Sequence, residues 1–132
     1  MIVDEKLLDD LTIKAKENPR LRQNFDLRTS GKDQSQRMLN ALEPGTDVPI
    51  HRHTKTTETV AVLRGKVRQS FYDDKGNVTE NIVISANSGC PFYVVEVGQW
   101  HKTECLESGT IIFESKDGAF EPTKDEDILK LK

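Results

Sequence analysis

Gly45-Thr46-Asp47-Val48-Pro49-Ile50-His51-Arg52-His53-Thr54-Lys55-Thr56-Thr57-Glu58, closed by Gly65 after six intervening residues, is the stretch on which the reading of this chain turns. Two of the chain's three histidines stand in it, at i and i+2. Side chains two apart in an extended segment point to the same side. His51 and His53 can therefore reach one point in space. Glu58 follows five residues on, where a tight turn brings its carboxylate back toward that point. The third histidine, His101, lies 43 residues beyond Glu58 and requires a strand that returns beside the first. Three imidazoles and one carboxylate suit a first-row divalent ion with coordination positions left open. A single histidine is more often a packing or surface residue, and a His-x-His pair alone reads either way. The spacing of the surrounding glycines favours the metal.

On either side of this stretch the chain divides into short strands. From Ser35 onward they are expected at 36–43, 57–64, 66–72, 78–85, 92–97, 101–106 and 110–116. The breaks fall at Pro44-Gly45, Gly65, Asp73-Asp74-Lys75-Gly76-Asn77, Ser88-Gly89, Gly98 and Ser108-Gly109, residues that tolerate positive φ or cap their own backbone. Many short strands at this spacing indicate a sandwich or barrel. Upstream, residues 4–17 read as one helix. Asp4 is its N-cap, Leu7, Leu8, Leu11 and Ala15 form an apolar stripe, and Asn18-Pro19 stops it. The stripe is expected to pack on the barrel or on a second subunit. The expected organisation is one structural domain: a helical segment at 1–30, a β-barrel at 31–120, and a charged tail at 121–132 that forms a surface arm with a short helical turn.

Bulk properties narrow the function. A chain of 132 residues fits one domain, with 35% apolar and 31% charged residues. No run approaches the roughly 20 apolar residues of a membrane-spanning helix, and the opening Met1–Lys6 gives no reason to expect a secretory leader. A net charge of -3 argues against nucleic-acid binding, which needs a basic footprint. Cys90 and Cys105 form no CxxC pair, so a reducing cytoplasm is the simplest setting, with a single disulfide left open.

The quoted stretch matches the first cupin motif, G-x5-H-x-H-x4-E-x6-G, at every fixed position, and the chain resembles the cupin superfamily. The second motif is matched in part. Gly98 and His101 stand in place, while Glu96 takes the proline position and Cys105 the asparagine position. The resemblance implies an all-β, single-domain cupin, a jelly-roll-like double-stranded β-helix barrel with a short N-terminal helix. A closer resemblance is to the WbuC group of cupin-fold metalloproteins. It rests on Asn18-Pro19-Arg20-Leu21-Arg22 after the helix, Arg37–Thr46 ahead of the motif, Asp73–Asn77, and Gly109-Thr110 through Phe113-Glu114 to Gly118. That group occurs with bacterial O-antigen and deoxysugar gene sets. The resemblance implies a bacterial cytoplasmic metalloprotein linked to surface-polysaccharide metabolism, and no settled reaction.

Around the four expected ligands His51, His53, Glu58 and His101, three residues are expected to support the site. Asn40 is the residue of the preceding strand chosen to line the cup. Gln69 is expected as a polar group inside the barrel, in need of a hydrogen-bond partner. Cys105 shares a strand face with His101 and Thr103 and so looks inward; it reads as a buried small apolar residue or as a thiol acting near the ion. Trp100 and Tyr93 are expected as rim packing or as a stacking surface for a sugar.

The expected cofactor is one divalent transition metal: zinc, iron, manganese or nickel. One functional reading is a metal-dependent enzyme acting on a small polar metabolite or sugar derivative, with the ion as Lewis acid and the general base unidentified. The other is a non-catalytic module that binds or senses a sugar or other small molecule. A closed structural zinc site fits less well, since such sites prefer cysteine ligands. The expected partners are a small-molecule ligand, such as a sugar or carboxylate, and a second copy of the chain in a homodimer.

Overall fold

The computed structural model describes residues 1–131. The elements run α1 (Glu5–Glu17), β1 (Arg22–Asp26), β2 (Gln36–Leu42), β3 (Glu58–Arg64), β4 (Lys66–Tyr72), β5 (Val78–Ser85), β6 (Phe92–Val95), β7 (Trp100–Cys105), β8 (Thr110–Lys116) and a 3-10 turn at Asp125–Asp127. The strands form two antiparallel sheets, ordered β1-β2-β8-β3-β6 and β5-β4-β7. This is the all-β, single-domain architecture expected from the sequence.

The side chain of Asp4 accepts a hydrogen bond from Leu7 N–H at 3.0 Å and caps α1. Asn18 ends it, donating its backbone N–H to Lys14 and Ala15. Leu11 and Ala15 are buried on the outer face of the larger sheet against Leu39, Ala41 and Ile111, with Leu7, Leu8, Phe25, Leu27 and Phe113 around them. A 2.6 Å ion pair from Arg64 to Asp9 ties the helix to the end of β3.

Alternation along the strands fills the barrel. Glu58, Val60 and Val62 of β3 all point inward, and so do Val67 and Gln69 of β4. One end of the interior is apolar, made by Leu42, Val60, Val62, Val67, Ile84, Val95, Cys105 and Ile112. Each such side chain contributes roughly 1.5–3 kcal/mol when fully buried. Toward the other end the inward positions turn polar, with Glu58, His101 and Glu114. Apolar floor and polar cup thus follow one another along the same strands.

Three features depart from the sequence reading. Strand β1 was not expected, because Arg22-Gln23-Asn24-Phe25-Asp26 carries one apolar residue and no alternating pattern. It forms by pairing along its whole length with β2, from Arg22↔Leu42 to Asp26↔Met38. The strand expected at 92–97 stops at Val95, because Gln99 N–H closes a turn onto Glu96 C=O at 3.1 Å. The segment expected as a surface arm carries its short turn and then returns to the barrel. Leu129 N–H bonds Ile50 C=O at 2.8 Å, Arg52 N–H bonds Asp127 C=O at 3.0 Å, and Ile128 forms a β-bridge with His51. Arg52 Nε also donates to the buried Asp127 carboxylate at 2.9 Å.

Two backbone positions bear on the site. Gly65, in the β3–β4 hairpin, has φ +77°, and a Cβ there would run into the Thr110 side chain and stand 2.8 Å from Thr110 Cα. Leu21, immediately before β1, holds φ 55°, unusual for a branched residue. Its carbonyl accepts from Glu43 N–H at 3.0 Å and Thr46 Oγ1 at 2.7 Å, so it is hooked onto the turn that opens the histidine stretch.

Candidate metal centre

His51 and His101 arrive as directly opposed residues on antiparallel segments. His51 N–H donates to His101 C=O at 3.0 Å, and His101 N–H returns the bond at 2.9 Å. Opposed residues of such a pair place their side chains on the same face, and the two ring centroids are 4.2 Å apart. The His53 C=O accepts from Gly98 N–H at 2.7 Å, which brings the third ring to 5.0 Å from His51 and 5.3 Å from His101. One ligand nitrogen from each of the three rings lies within 4.8 Å of the others.

The tautomers suit a cation. His51 Nδ1 lies 2.9 Å from Pro49 C=O, and His101 Nδ1 lies 3.0 Å from Gln99 C=O. A carbonyl only accepts, so Nδ1 carries the proton in each ring and Nε2 keeps its lone pair for an ion. The Nε2 atoms of His53 and His101 are buried without a hydrogen-bond partner among the described residues. Leaving such atoms unpaired costs free energy, and a divalent ion meets that need at both. Burial lowers the pKa of His51, and that of His101 to about 4, so both rings are neutral at physiological pH.

Glu58 is buried beside this group. Its Oε2 lies 3.0 Å from His53 Nε2, a contact that does not align as a hydrogen bond, and 3.5 Å from Lys116 Nζ. Burial opposes its ionisation, but the adjoining His53 ring, the Lys116 ammonium and His101 outweigh it and hold the carboxyl well below the usual range. Glu58 thus stands ionised against one of the three rings.

The site opens into a cup of about 420 Å³ lined by His51, Glu58, His101 and Thr103. His53 faces a second cavity beneath the C-terminal segment. Asn40 lies in the cup and donates its Nδ2 to Glu114 Oε2 at 2.9 Å. Gln69 is fully buried; its Oε1 accepts from Thr103 Oγ1 at 2.5 Å, and its Nε2 finds no partner among the described residues. Tyr93 OH adjoins the same Thr103 hydroxyl at 3.0 Å, so this ring lies inside the barrel and not on its rim. Trp100 is buried, with the Arg52 guanidinium 4.4 Å above its ring and its Nε1 donating to Asp74. Cys105 is separated from the ion group. It sits four residues along β7 from His101, about 13 Å away, packed in the apolar floor with its Sγ against the carbonyls of Leu42 and Glu107. Burial pushes its thiol pKa up. Cys90 and Cys105 are both free.

Sequence reasoning missed Glu114 and Lys116. Both follow Ile112 on the inward face of β8 and line the cup. The period of two was the available signal: a strand with Ile112 buried places Glu114 and Lys116 on the same side. Burial first, then the nearby Glu58 charge, raises the Glu114 pKa above the ordinary carboxyl value.

Comparison with known proteins agrees with the fold. An oxalate oxidase in complex with glycolate superposes with a TM-score of 0.62 at 16% identity, over 78% of this chain and 54% of that one. The capsular polysaccharide assembling protein CapF from Staphylococcus aureus gives 0.59 at 22% identity, over 68% of this chain and 24% of that one. KdgF from Halomonas sp. gives 0.60 at 13% identity, over 79% of this chain and 84% of that one. All three are cupin-fold proteins, and at these identities the likeness is one of fold. The chain spans about half the length of the oxalate oxidase. No curated protein matches its sequence. No helix among the described residues is long and apolar enough to cross a membrane. A family model described as a domain of unknown function, DUF6016, matches residues 3–84, more than half of the chain, and the protein with its cupin fold and three-histidine cluster belongs to that family.

Proposed function

We propose that this chain is a metal-dependent enzyme of the WbuC type that binds one divalent ion through His51, His53, His101 and Glu58 and acts on a small polar metabolite or sugar derivative. The observation that carries this reading is the pairing of two features in one cup. A three-histidine group whose His53 and His101 Nε2 atoms are buried and unpartnered among the described residues lies beside an ionised carboxylate. A second carboxyl, Glu114, sits in the same cup with its pKa raised. Carboxyls whose environments drive their pKa values apart are the mark of divided acid–base roles. A bound divalent ion supplies Lewis-acid polarisation of a substrate oxygen. Glu114, oriented by Asn40, accepts and returns the proton. Thr103, whose hydroxyl hydrogen goes to Gln69 Oε1, offers its oxygen as an acceptor to the ligand from the cup wall. The shared fold of CapF, a capsular polysaccharide assembling protein, supports surface-polysaccharide metabolism as the setting.

The test is elemental analysis of the purified protein, then assay of the metal-loaded chain against sugar derivatives with Glu114→Gln as the control. Stoichiometric metal with turnover that Glu114→Gln abolishes is the expected result. Stoichiometric metal and saturable binding with no turnover would establish the non-catalytic binding or sensing module instead.

A further inference from the structure

The chain has seven arginines. Five are ion-paired: Arg28 with Asp26, Arg37 with Asp33, Arg52 with Asp127, Arg64 with Asp9 and Arg68 with Glu104. The two with no carboxylate partner among the described residues, Arg20 and Arg22, both line the mouth of the metal cup. Arg22 is half-buried there. It pairs across the sheet with Leu42, and Asn24 with Asn40; Leu42 and Asn40 line the cup, so Arg22 and Asn24 present their side chains to the same space.

The backbone that carries the pair is set for the purpose. Leu21 stands between the two arginines at φ 55°. Its N–H donates to Asn18 C=O at 2.8 Å, Arg20 N–H donates to Asn18 Oδ1 at 2.8 Å, and its carbonyl is held by Glu43 and Thr46. A branched residue kept in the left-handed region by four surrounding hydrogen bonds is strain retained at a fixed position, and such strain gathers at ligand clamps. The cup's charge points the same way. Its lining holds three cationic side chains, Arg20, Arg22 and Lys116, against two carboxylates, Glu58 and Glu114. Lys116 is engaged with Glu58 at 3.5 Å. Glu114 is hydrogen-bonded to Asn40, so the lining keeps a net positive charge, and the two arginines carry it.

We infer that Arg20 and Arg22 form an anion clamp, and that the ligand of this cup is a monosaccharide-sized polyhydroxylated anion bearing one carboxylate or phosphate. Its anionic group sits on the guanidinium pair, and its hydroxyl oxygens face the histidine group. The planar guanidinium fork matches both oxyanions bidentately. A cavity of about 420 Å³ lies at the small end of the range for ligand sites, which suits one sugar ring. The inference rests on the proposed function for the role of the metal, and the arginine pair itself is independent of it.

The experiment titrates the metal-loaded chain with D-glucuronate, D-glucose 1-phosphate and D-glucose by calorimetry, in the wild type and in Arg20→Gln, Arg22→Gln, Arg22→Lys and the double glutamine variant. Metal content is measured on every sample, and thermal melts check folding. A charge-assisted bidentate pair is worth about tenfold or more in affinity. At least one anion should therefore bind about tenfold or more tighter than glucose, and the tighter of the two identifies carboxylate or phosphate as the source. The preference should fall to about unity in the double variant and to an intermediate value in Arg22→Lys, with metal content unchanged. Anions that bind no better than glucose to the wild type, or a preference that survives in the double variant, would overturn the clamp. Glucuronate binding to a protein that holds no metal would instead refute the metal reading and leave the clamp standing.

Discussion

Protonation of the metal-free cup works in two opposed directions, and two substitutions separate them. His101 titrates near 6.5 when exposed and at about 4 in the fold, because burial and then the adjoining His51 disfavour its charge. Between those values the unfolded chain binds more protons than the folded one. This contribution to stability is therefore whole above pH 6.5 and is lost as pH falls toward 4. At about 1.4 kcal/mol per unit, moving from pH 6.5 to 5.0 costs about 2 kcal/mol, and the lowered His51 adds to it. Glu114 acts against this. Its folded pKa is raised, so the folded chain takes up the proton first and stability increases as pH falls through the raised value. Glu58, depressed in the fold, enters only below its unfolded value of 4.5. The measurement is urea unfolding of the chelator-treated protein at pH 6.5 and 5.0. Glu114→Gln removes the compensating group and should lose about 2 kcal/mol or more between the two, by the same per-unit conversion. His101→Gln removes the main histidine contribution and should lose less than the wild type, or gain. Identical pH slopes in the two variants would refute the assignment of the opposing groups.

Gly65→Ala should cost about 2–4 kcal/mol in urea unfolding, combining left-handed strain with a clash against Thr110; a loss under about 0.5 kcal/mol, the ordinary range of surface changes, would count against the hairpin geometry. His51→Ala and His101→Ala should lose stoichiometric metal by elemental analysis while circular dichroism still reports a folded barrel, since the apolar floor is separate from the histidines; retained metal would break the ligand assignment. Cys105→Ser should leave metal affinity unchanged across pH 6 to 9, and tightening above neutrality that disappears in this variant would make the thiolate a ligand. The chain is expected to be a homodimer by light scattering, using the outer face of β3 and β6 that α1 leaves bare, where Leu63, Phe92 and Val94 are exposed; a monomeric mass that persists in the micromolar range would exclude this.

What could be read in advance followed from how local each signal was. The His-x-His pair and the Gly45 and Gly65 turns lie within one short stretch, so their spacing alone set the register of the three-histidine group once His101 was opposed to His51. Glu114 and Lys116 were present as alternation on a strand already recognised, but a glutamate and a lysine beside a chain end of mixed charge look like solvated surface until the partner strand β3 brings Glu58 across from Lys116. Arg20 and Arg22 stood in the Asn18–Arg22 stretch of the resemblance, with no periodicity to place them at the cup. Strand β1 has no apolar period, and its place is decided by the ladder of β2, whose partner residues lie 12 to 20 positions later in the chain, together with the left-handed turn at Leu21. The Cys105 reading turned on distance along a strand: sharing a face with His101 is a matter of parity, whereas sharing a site is a matter of reach, and four residues of strand put the thiol in the floor.

The β-bridge between His51 and Ile128 carries a consequence for biosynthesis. The segment holding two of the three histidines is a short stretch between partners drawn from His101 on one side and Ile128 on the other. A chain emerging from the ribosome presents His51 and His53 long before either partner exists. The three-histidine group therefore gains its second flanking partner only after residues 127–129 have been made and have folded back. A nascent chain stalled before that segment would hold His51 from the His101 side alone.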